Sequence, residues 1–366
     1  MNWFKNIFSK NDTPSFERTL RNAFDNVGLF YYDIKINYKK GAIYIYDAPN
    51  DIHVQNRQVF SNAYFEKAKT VIRSHLPNDY RLLPQEEIQL ENAENNKKMV
   101  INFESVESKR IDGSEIVTHG YEIPLMKDVF WDISQAPHAI IAGVTGSGKS
   151  MFINYLFKQF QYMNAEIYAI DPKFADLYVL GKNKLDAGHF ASETEDSLEL
   201  LKHLNQLLTV RQRILSSRNE IGLDAYEDNM KPIVLFFDEL AAFKDSLESK
   251  KDKDAYNSYL KNLVLKGRSA GINIVLSLQK PLAEDIPTSV RDQLSFRLVL
   301  GKNTTEDTKK LIFGINDKDV LVNDENEQHD EWETASLQKY DGWFKMPDMT
   351  EKFKVFETPN LKNLKI

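Results

Sequence analysis

The chain has 366 residues, with 47 Lys and Arg against 54 Asp and Glu, a formal charge of −7, 42% hydrophobic residues and no cysteine. That length suits two domains and that apolar content can fill two cores, while the missing thiols exclude disulfides and thiolate metal sites. A net acidic chain is not coated in basic surface for nucleic acid, although a local basic channel stays compatible with it. No apolar stretch reaches the roughly 20 residues of a membrane span. Nothing reads as a cleaved signal, and the seven histidines lack ligand spacing and are read as structural.

The first ten residues place Trp3, Phe4, Ile7 and Phe8 on one helical face beside Lys5 and Lys10. Docking on its own domain is the expectation for this face, with a membrane surface or a partner as the alternative. Residues 30–37 and 42–46 alternate apolar and polar like half-buried strands, joined by the turn Lys39-Lys40-Gly41. A helix is expected over 60–75. Residues 88–115 are polar apart from a strand at Met99-Val100-Ile101-Asn102-Phe103. Residues 1–115 therefore read as a small α+β domain, and residues 116–366 as a second one.

From residue 122 onward strands and helices alternate, as in a RecA-like, mainly parallel sheet. Ala139-Ile140-Ile141-Ala142 is a short buried strand, followed by Gly143-Val144-Thr145-Gly146-Ser147-Gly148-Lys149-Ser150 and then a helix beginning near Met151. This is a phosphate-binding loop. Its glycines let successive backbone N–H groups face the phosphates of a nucleotide. Lys149 reaches the β- and γ-phosphates, Ser150 takes a place on Mg²⁺, and the helix start faces the anion. Residues 165–170 form a strand ending in Asp171-Pro172-Lys173, and helices cover roughly 195–217 and 252–267, the latter after the charged segment 244–254.

The run Pro232-Ile233-Val234-Leu235-Phe236-Phe237 has the composition of a strand buried on both faces, and it ends in Asp238-Glu239. Acidic residues there lie at the carboxyl edge of the sheet, where such folds bind ligands. Asp238 is expected to hold Mg²⁺ and Glu239 to polarise the water that attacks the γ-phosphate. An Asp in this place also serves as a helix N-cap, which would add to the metal role. An ATP hydrolase is implied. Further strands are expected at 272–278, ending in Gln279-Lys280-Pro281, and at 296–300, the last clear one.

Together, Ile123-Pro124-Leu125, the strand from Pro137-His138 into the phosphate loop, Ile170-Asp171-Pro172-Lys173, Asp238-Glu239, Gly267-Arg268-Ser269-Ala270-Gly271-Ile272-Asn273 and Gln279-Lys280-Pro281 resemble the FtsK/SpoIIIE family of hexameric DNA-pumping ATPases. The likeness covers most of residues 120–320. Val290-Arg291-Asp292-Gln293, residues 296–301 and Ile312-Phe313-Gly314 look most like the branch carried by Gram-positive conjugative elements, whose members hand DNA to a transfer apparatus. The family's usual membrane-spanning start and its C-terminal winged-helix domain have no counterpart in the pattern.

The resemblance implies roles for residues that spacing leaves anonymous. Gln279 falls where relatives place a sensor of the γ-phosphate. Arg268 falls where they place an arginine that enters the neighbouring subunit's site, with Arg297 in reserve; a cation at a helix C-terminus is the plain alternative. Lys280, Arg291 and Lys302, with Lys309 a further candidate, fall where relatives present pore loops to the DNA backbone. Asp171 and Lys173 match the signature without an assigned role. The implied assembly is a homo-hexamer threaded by double-stranded DNA without sequence preference, with residues 1–115 as an upper tier. Relaxase or transfer-apparatus proteins are its implied partners, and its place is the cytoplasm, with recruitment to the membrane by a partner. Two rivals use the same site: a ring ATPase that drives protein secretion, and an ATP-gated adaptor that recruits a replication or relaxase protein.

Overall fold

A computed structural model describes residues 13–29, 31, 33–46, 62–76, 80–82, 90–93, 96–105, 108–114, 116–282, 286–315, 340–361 and 364. The apolar face at residues 3–8 lies outside them. The described residues divide into two compact units, with the boundary between Ser108 and Lys109.

The first unit runs α1 (Thr13–Asn26), β1 (Asp33–Asn37), β2 (Ala42–Tyr46), α2 (Asn62–His75), β3 (Tyr80–Leu82), β4 (Leu90–Ala93) and β5 (Asn96–Ser105). Its strands form an antiparallel sheet in the order β1-β2-β5-β3, with β4 also paired to β5. Period-two alternation explains the core. Ile43 and Ile45 are fully buried with Ile34, Met99, Ile101 and Phe103, and they pack with Phe16, Leu20 and Phe24 of α1 and Phe65, Ala68 and Ile72 of α2. Tyr44 and Tyr46, one residue out of phase, are only half-buried.

The second unit begins with a hairpin, β6 (Glu122–Met126) and β7 (Val129–Asp132). Then come β8 (His138–Gly143), α3 (Lys149–Tyr162), β9 (Glu166–Ile170), α4 (Asp176–Lys184), β10 (Phe190–Ala191) and α5 (Thr194–Ser217). After these follow β11 (Ile233–Asp238), α6 (Leu240–Ser246), α7 (Lys250–Lys266), a 3₁₀ turn at Arg268–Ala270 and β12 (Ile272–Leu278). The unit closes with α8 (Thr288–Arg291), β13 (Phe296–Leu300), α9 (Glu306–Phe313), β14 (Gly342–Lys345) and β15 (Lys354–Phe356). The sheet order is β10-β9-β11-β12-β8-β13-β14-β15, parallel through β13 and antiparallel beyond. Every residue of β8 and β12 is buried, as helices on both faces require.

Two departures from the sequence expectations have local causes. The sheet does not stop at β13. Gly342 lets β14 close on it, because a Cβ there would lie 1.8 Å from the Val299 carbonyl oxygen. Residues 109–114 pack with the second unit. Glu357 accepts the N–H groups of Lys109 and Arg110 (3.1 Å each), and the Arg110 guanidinium forks onto both oxygens of Asp341 (2.8 and 2.9 Å). The charged segment after residue 244 is broken by Ser249, whose hydroxyl accepts the Asp252 N–H and caps α7.

Candidate nucleotide site

The carboxyl ends of β8, β9, β11, β12 and β13 lie along one edge of the parallel sheet, and the segments after them form the site. After β8 the chain turns through Gly143–Gly148. Gly148 sits at φ 92°, and a Cβ on it would meet the Tyr340 ring at 3.1 Å. Helix α3 then starts without a side-chain cap. Phe152 is the first to return an N–H to the loop, onto the Gly148 carbonyl (3.0 Å), which leaves the N–H groups of its first turn for an anion.

Lys149 is buried (8% exposed). Its Nζ donates to Ser277 Oγ (2.8 Å) and stands 3.3 Å from Asp238 Oδ1. Ser277 faces Asp238 in the β11–β12 register, and its hydroxyl donates to the same Asp238 oxygen (2.5 Å). Thus the loop lysine, the serine and the strand-end carboxylate already converge. Gln279 follows β12 and accepts from the Thr145 hydroxyl (3.4 Å), which places its amide beside the phosphate loop. Thr145 and Gly146 are exposed, Val144 and Ser150 are half-buried, and Met151 is exposed on the first turn of α3.

Glu239 is 5% exposed and adopts a left-handed backbone, φ 50° and ψ 65°. Its N–H is held by the Ser277 carbonyl (2.8 Å). Lys173 Nζ lies 3.2 Å from Glu239 Oε2, yet that oxygen has no hydrogen bond of proper angle, so the contact is electrostatic. Asp171 is fully buried and accepts three backbone N–H groups, from Lys173 (3.0 Å), Ala175 (3.0 Å) and Tyr178 (2.8 Å). Burial, with the Asp238 charge adding to it, holds the Asp171 carboxyl above its ordinary range despite those three bonds. The spacing left Asp171, Lys173 and Ser277 without roles. The signal for the first two was their place at a strand end, next to the strand that carries Asp238-Glu239.

The residues fit Mg²⁺ and a nucleoside triphosphate. The Ser147 hydroxyl is buried with no partner among the described residues, the first turn of α3 is uncapped, Ser150 follows Lys149 in that turn, and Asp238 lies 3.3 Å from the Lys149 ammonium. Magnesium takes one or two protein oxygens and completes its shell with phosphates and water, so a larger acidic cluster is not needed.

The other candidates divide between the two edges of the sheet. Lys280 and Lys302 are exposed and follow the carboxyl ends of β12 and β13, next to the phosphate loop; a Cβ on Gly301 would meet Ser147 at 2.8 Å. Arg291 instead precedes β13, at the opposite edge. Lys309 is buried with its Nζ 4.1 Å from the centre of the Trp343 ring, which removes it from any surface. Arg297 is also spent. Its guanidinium donates to the carbonyls of Leu294, Ile312 and Arg291, so it cannot serve as the reserve finger. Arg268 is exposed, with one long bond to Gln135 (3.4 Å). It precedes β12, so the length of that strand, about 20 Å, separates it from the phosphate loop of its own subunit.

This sheet order, with a phosphate loop after β8 and an acidic pair after the strand two places away, defines a RecA-like P-loop ATPase fold. Residues 103–294 match the FtsK/SpoIIIE family, and the chain belongs to it. It is 34% identical over 197 residues to the Ftsk domain-containing protein YdcQ of Bacillus subtilis, covering 54% of this chain and 41% of that protein. It is 23% identical over 202 residues to the DNA translocase FtsK of Campylobacter jejuni, covering 52% of this chain and 21% of the relative. The chain thus spans well under half the length of either. Among solved structures, the fold is similar to the pCW3 conjugation coupling protein TcpA in its monomer form with ATPγS, at a TM-score of 0.58 and 16% identity over 95% of this chain and 96% of that one.

Proposed function

We propose that this chain is an ATP-driven DNA translocase, a coupling ATPase that works as a hexamer and moves duplex DNA through a central pore for a plasmid or another mobile element. One observation carries the reading: Lys149, Ser150, Asp238, Glu239 and Gln279 converge at the carboxyl edge of a single parallel sheet. The family and the likeness to a conjugation coupling protein support DNA as the cargo.

In this reading Lys149 leaves Ser277 and Asp238 for the β- and γ-phosphates, and the first turn of α3 binds the phosphate oxygens. Ser150 and Asp238 would hold the magnesium ion, which when bound would supply charge neutralisation for the transferred phosphoryl group. Glu239 accepts a proton from the attacking water, Gln279 reports on the γ-phosphate, and Arg268 reaches the site of the adjacent subunit. The first unit forms an upper tier of the ring. Among the described residues no helix is long and apolar enough to cross a membrane. The same reading puts the motor in the cytoplasm, with a transfer-apparatus or relaxase partner to bring it to the membrane.

Duplex DNA should raise the rate of ATP hydrolysis by the assembled protein; an unchanged rate would end the translocation reading and leave protein secretion or an ATP-gated adaptor. Phosphate contacts carry no base information, so DNA binding should ignore sequence and weaken with salt. Neutralising Lys280, Arg291 and Lys302 should lower the slope of log affinity against log salt by about one per residue. Because Arg291 lies at the other edge, the Lys280 and Lys302 pair is also measured alone. A slope that instead responds only to Lys97, Lys98 and Lys109 would place the DNA elsewhere.

A further inference from the structure

Six non-glycine residues among those described have positive φ: Asp128, Asn164, Phe174, Asn219, Asn229 and Glu239. Asn and Asp tolerate that backbone because their short polar side chains bond locally; Phe and Glu have no such compensation, and a left-handed residue of this kind costs about 1–2 kcal/mol. The two exceptions follow the ends of neighbouring strands, Phe174 after β9 and Glu239 after β11, whose registers pair Ile170 with Phe237. Lys173 joins the two turns through its contact with Glu239. Strain placed at two adjacent strand ends and bridged by an ion pair persists only where the surroundings hold it in place.

The surroundings are visible. The buried Asp171 carboxylate closes the first turn with three backbone N–H bonds, one of them from Lys173 itself, and so fixes the root of the lysine. The second turn is fixed by the Glu239 N–H bond to the Ser277 carbonyl on the far side. Beyond its root, a glutamate side chain keeps three free torsions, and a carboxylate with unrestricted torsions cannot aim at one water molecule. The Lys173 ammonium, 3.2 Å from Oε2, supplies the missing restraint from the neighbouring strand, and its undirected contact leaves the carboxylate lone pairs free of a competing hydrogen bond.

We propose that Lys173 is the positioning residue for Glu239, with Asp171 as the brace that holds Lys173 in place. The inference rests on the reading of Glu239 as the carboxylate that orients the attacking water. Lys173→Met should lower kcat for ATP hydrolysis about a hundredfold, since misplacing a catalytic group by an ångström costs that much, while the KM and the affinity for a fluorescent ATP analogue stay within about twofold, as uniform binding is untouched. Lys173→Arg, which keeps the cation, should recover most of the rate. Lys173 is partly exposed, so its replacement leaves the core intact, and a melting curve checks this.

The deciding measurement is a cycle of Lys173→Met, Glu239→Gln and the double variant in single-turnover hydrolysis. A residue that acts only through Glu239 adds no loss once Glu239 is Gln. A further multiplicative loss in the double variant, or an Lys173→Met enzyme with wild-type kcat beside an inactive Glu239→Gln, would overturn the role of Lys173 alone. Wild-type turnover in Glu239→Gln would instead overturn the catalytic reading on which the inference stands.

Discussion

Where the strands of the motor sheet begin, most buried polar groups are spent on backbone and on each other; where they end, the same kinds of group are held near one another, beside strained backbone, and left under-satisfied. At the starting edge, Asn273 donates to the Ile233 carbonyl (3.0 Å) and accepts from the Tyr226 hydroxyl (2.9 Å). His138 donates from Nε2 to the Val264 carbonyl (2.9 Å), although its Nδ1 is buried without a hydrogen bond, and Arg297 ties three carbonyls together. At the ending edge, Ser147 Oγ and Glu239 Oε2 are buried without hydrogen bonds, and Lys149 leans on two groups it must leave to bind phosphate. Both edges are polar and buried. What separates a candidate site from a structural network is unspent hydrogen-bonding capacity combined with strained backbone.

Arg268 is the sharpest challenge to that division, because it sits at the structural edge and is assigned a catalytic task across a subunit boundary. Arg268→Ala should lower hydrolysis by about a thousandfold. Mixing it with Lys149→Ala subunits should restore activity at interfaces where an intact loop meets an intact arginine. Absence of rescue in rings shown to be mixed would return Arg268 to the structural side.

His138 tests the starting edge by pH. Burial lowers its pKa from 6.5 to about 4, so the folded state binds fewer protons than the unfolded one across that window. Stability contributed by the neutral ring is therefore complete above the unfolded value and is lost as pH falls from 6.5 towards 4, by up to about 3 kcal/mol. Denaturant unfolding of wild type and His138→Gln at pH 7 and pH 4 measures it, and the variant should show the shallower pH dependence. A smaller effect is expected from Tyr226→Phe, which removes one buried donor at a cost of about 1–2 kcal/mol. Nucleotide affinity should not change; if it did, the two edges would be coupled through β12.

The parts of the molecule that sequence made legible are those where one local pattern meets one physical need. The apolar runs of β8, β11 and β12 read as buried strands because both faces are covered, and the phosphate loop reads as itself because glycine, lysine and serine spacing has few other uses. Strands β14 and β15 leave no signal in the sequence because four and three residues are too short for periodicity to show; β14 exists by pairing onto β13, and β15 by pairing onto β14. The resemblance makes Lys309 a candidate for the DNA path and Arg297 the reserve arginine, roles that both need an accessible side chain. Tertiary packing buried one over Trp343 and turned the other into a bracket for carbonyls. Lys173 had a motif but no role, since its meaning depends on a residue 66 positions away.

The fork between Arg110 and Asp341 has a practical consequence for anyone who cuts this chain. Asp112 bridges to Asn360, so the entry and exit of the motor unit run side by side. Ends that lie together invite circular permutation, with a short linker across them and a new opening in an exposed loop. The same adjacency penalises a careless boundary. An excision that starts at residue 116 discards Arg110 and strands the buried Asp341 carboxylate without its guanidinium, loosening the far edge of the sheet, whereas one that starts at 109 keeps both halves of the clasp.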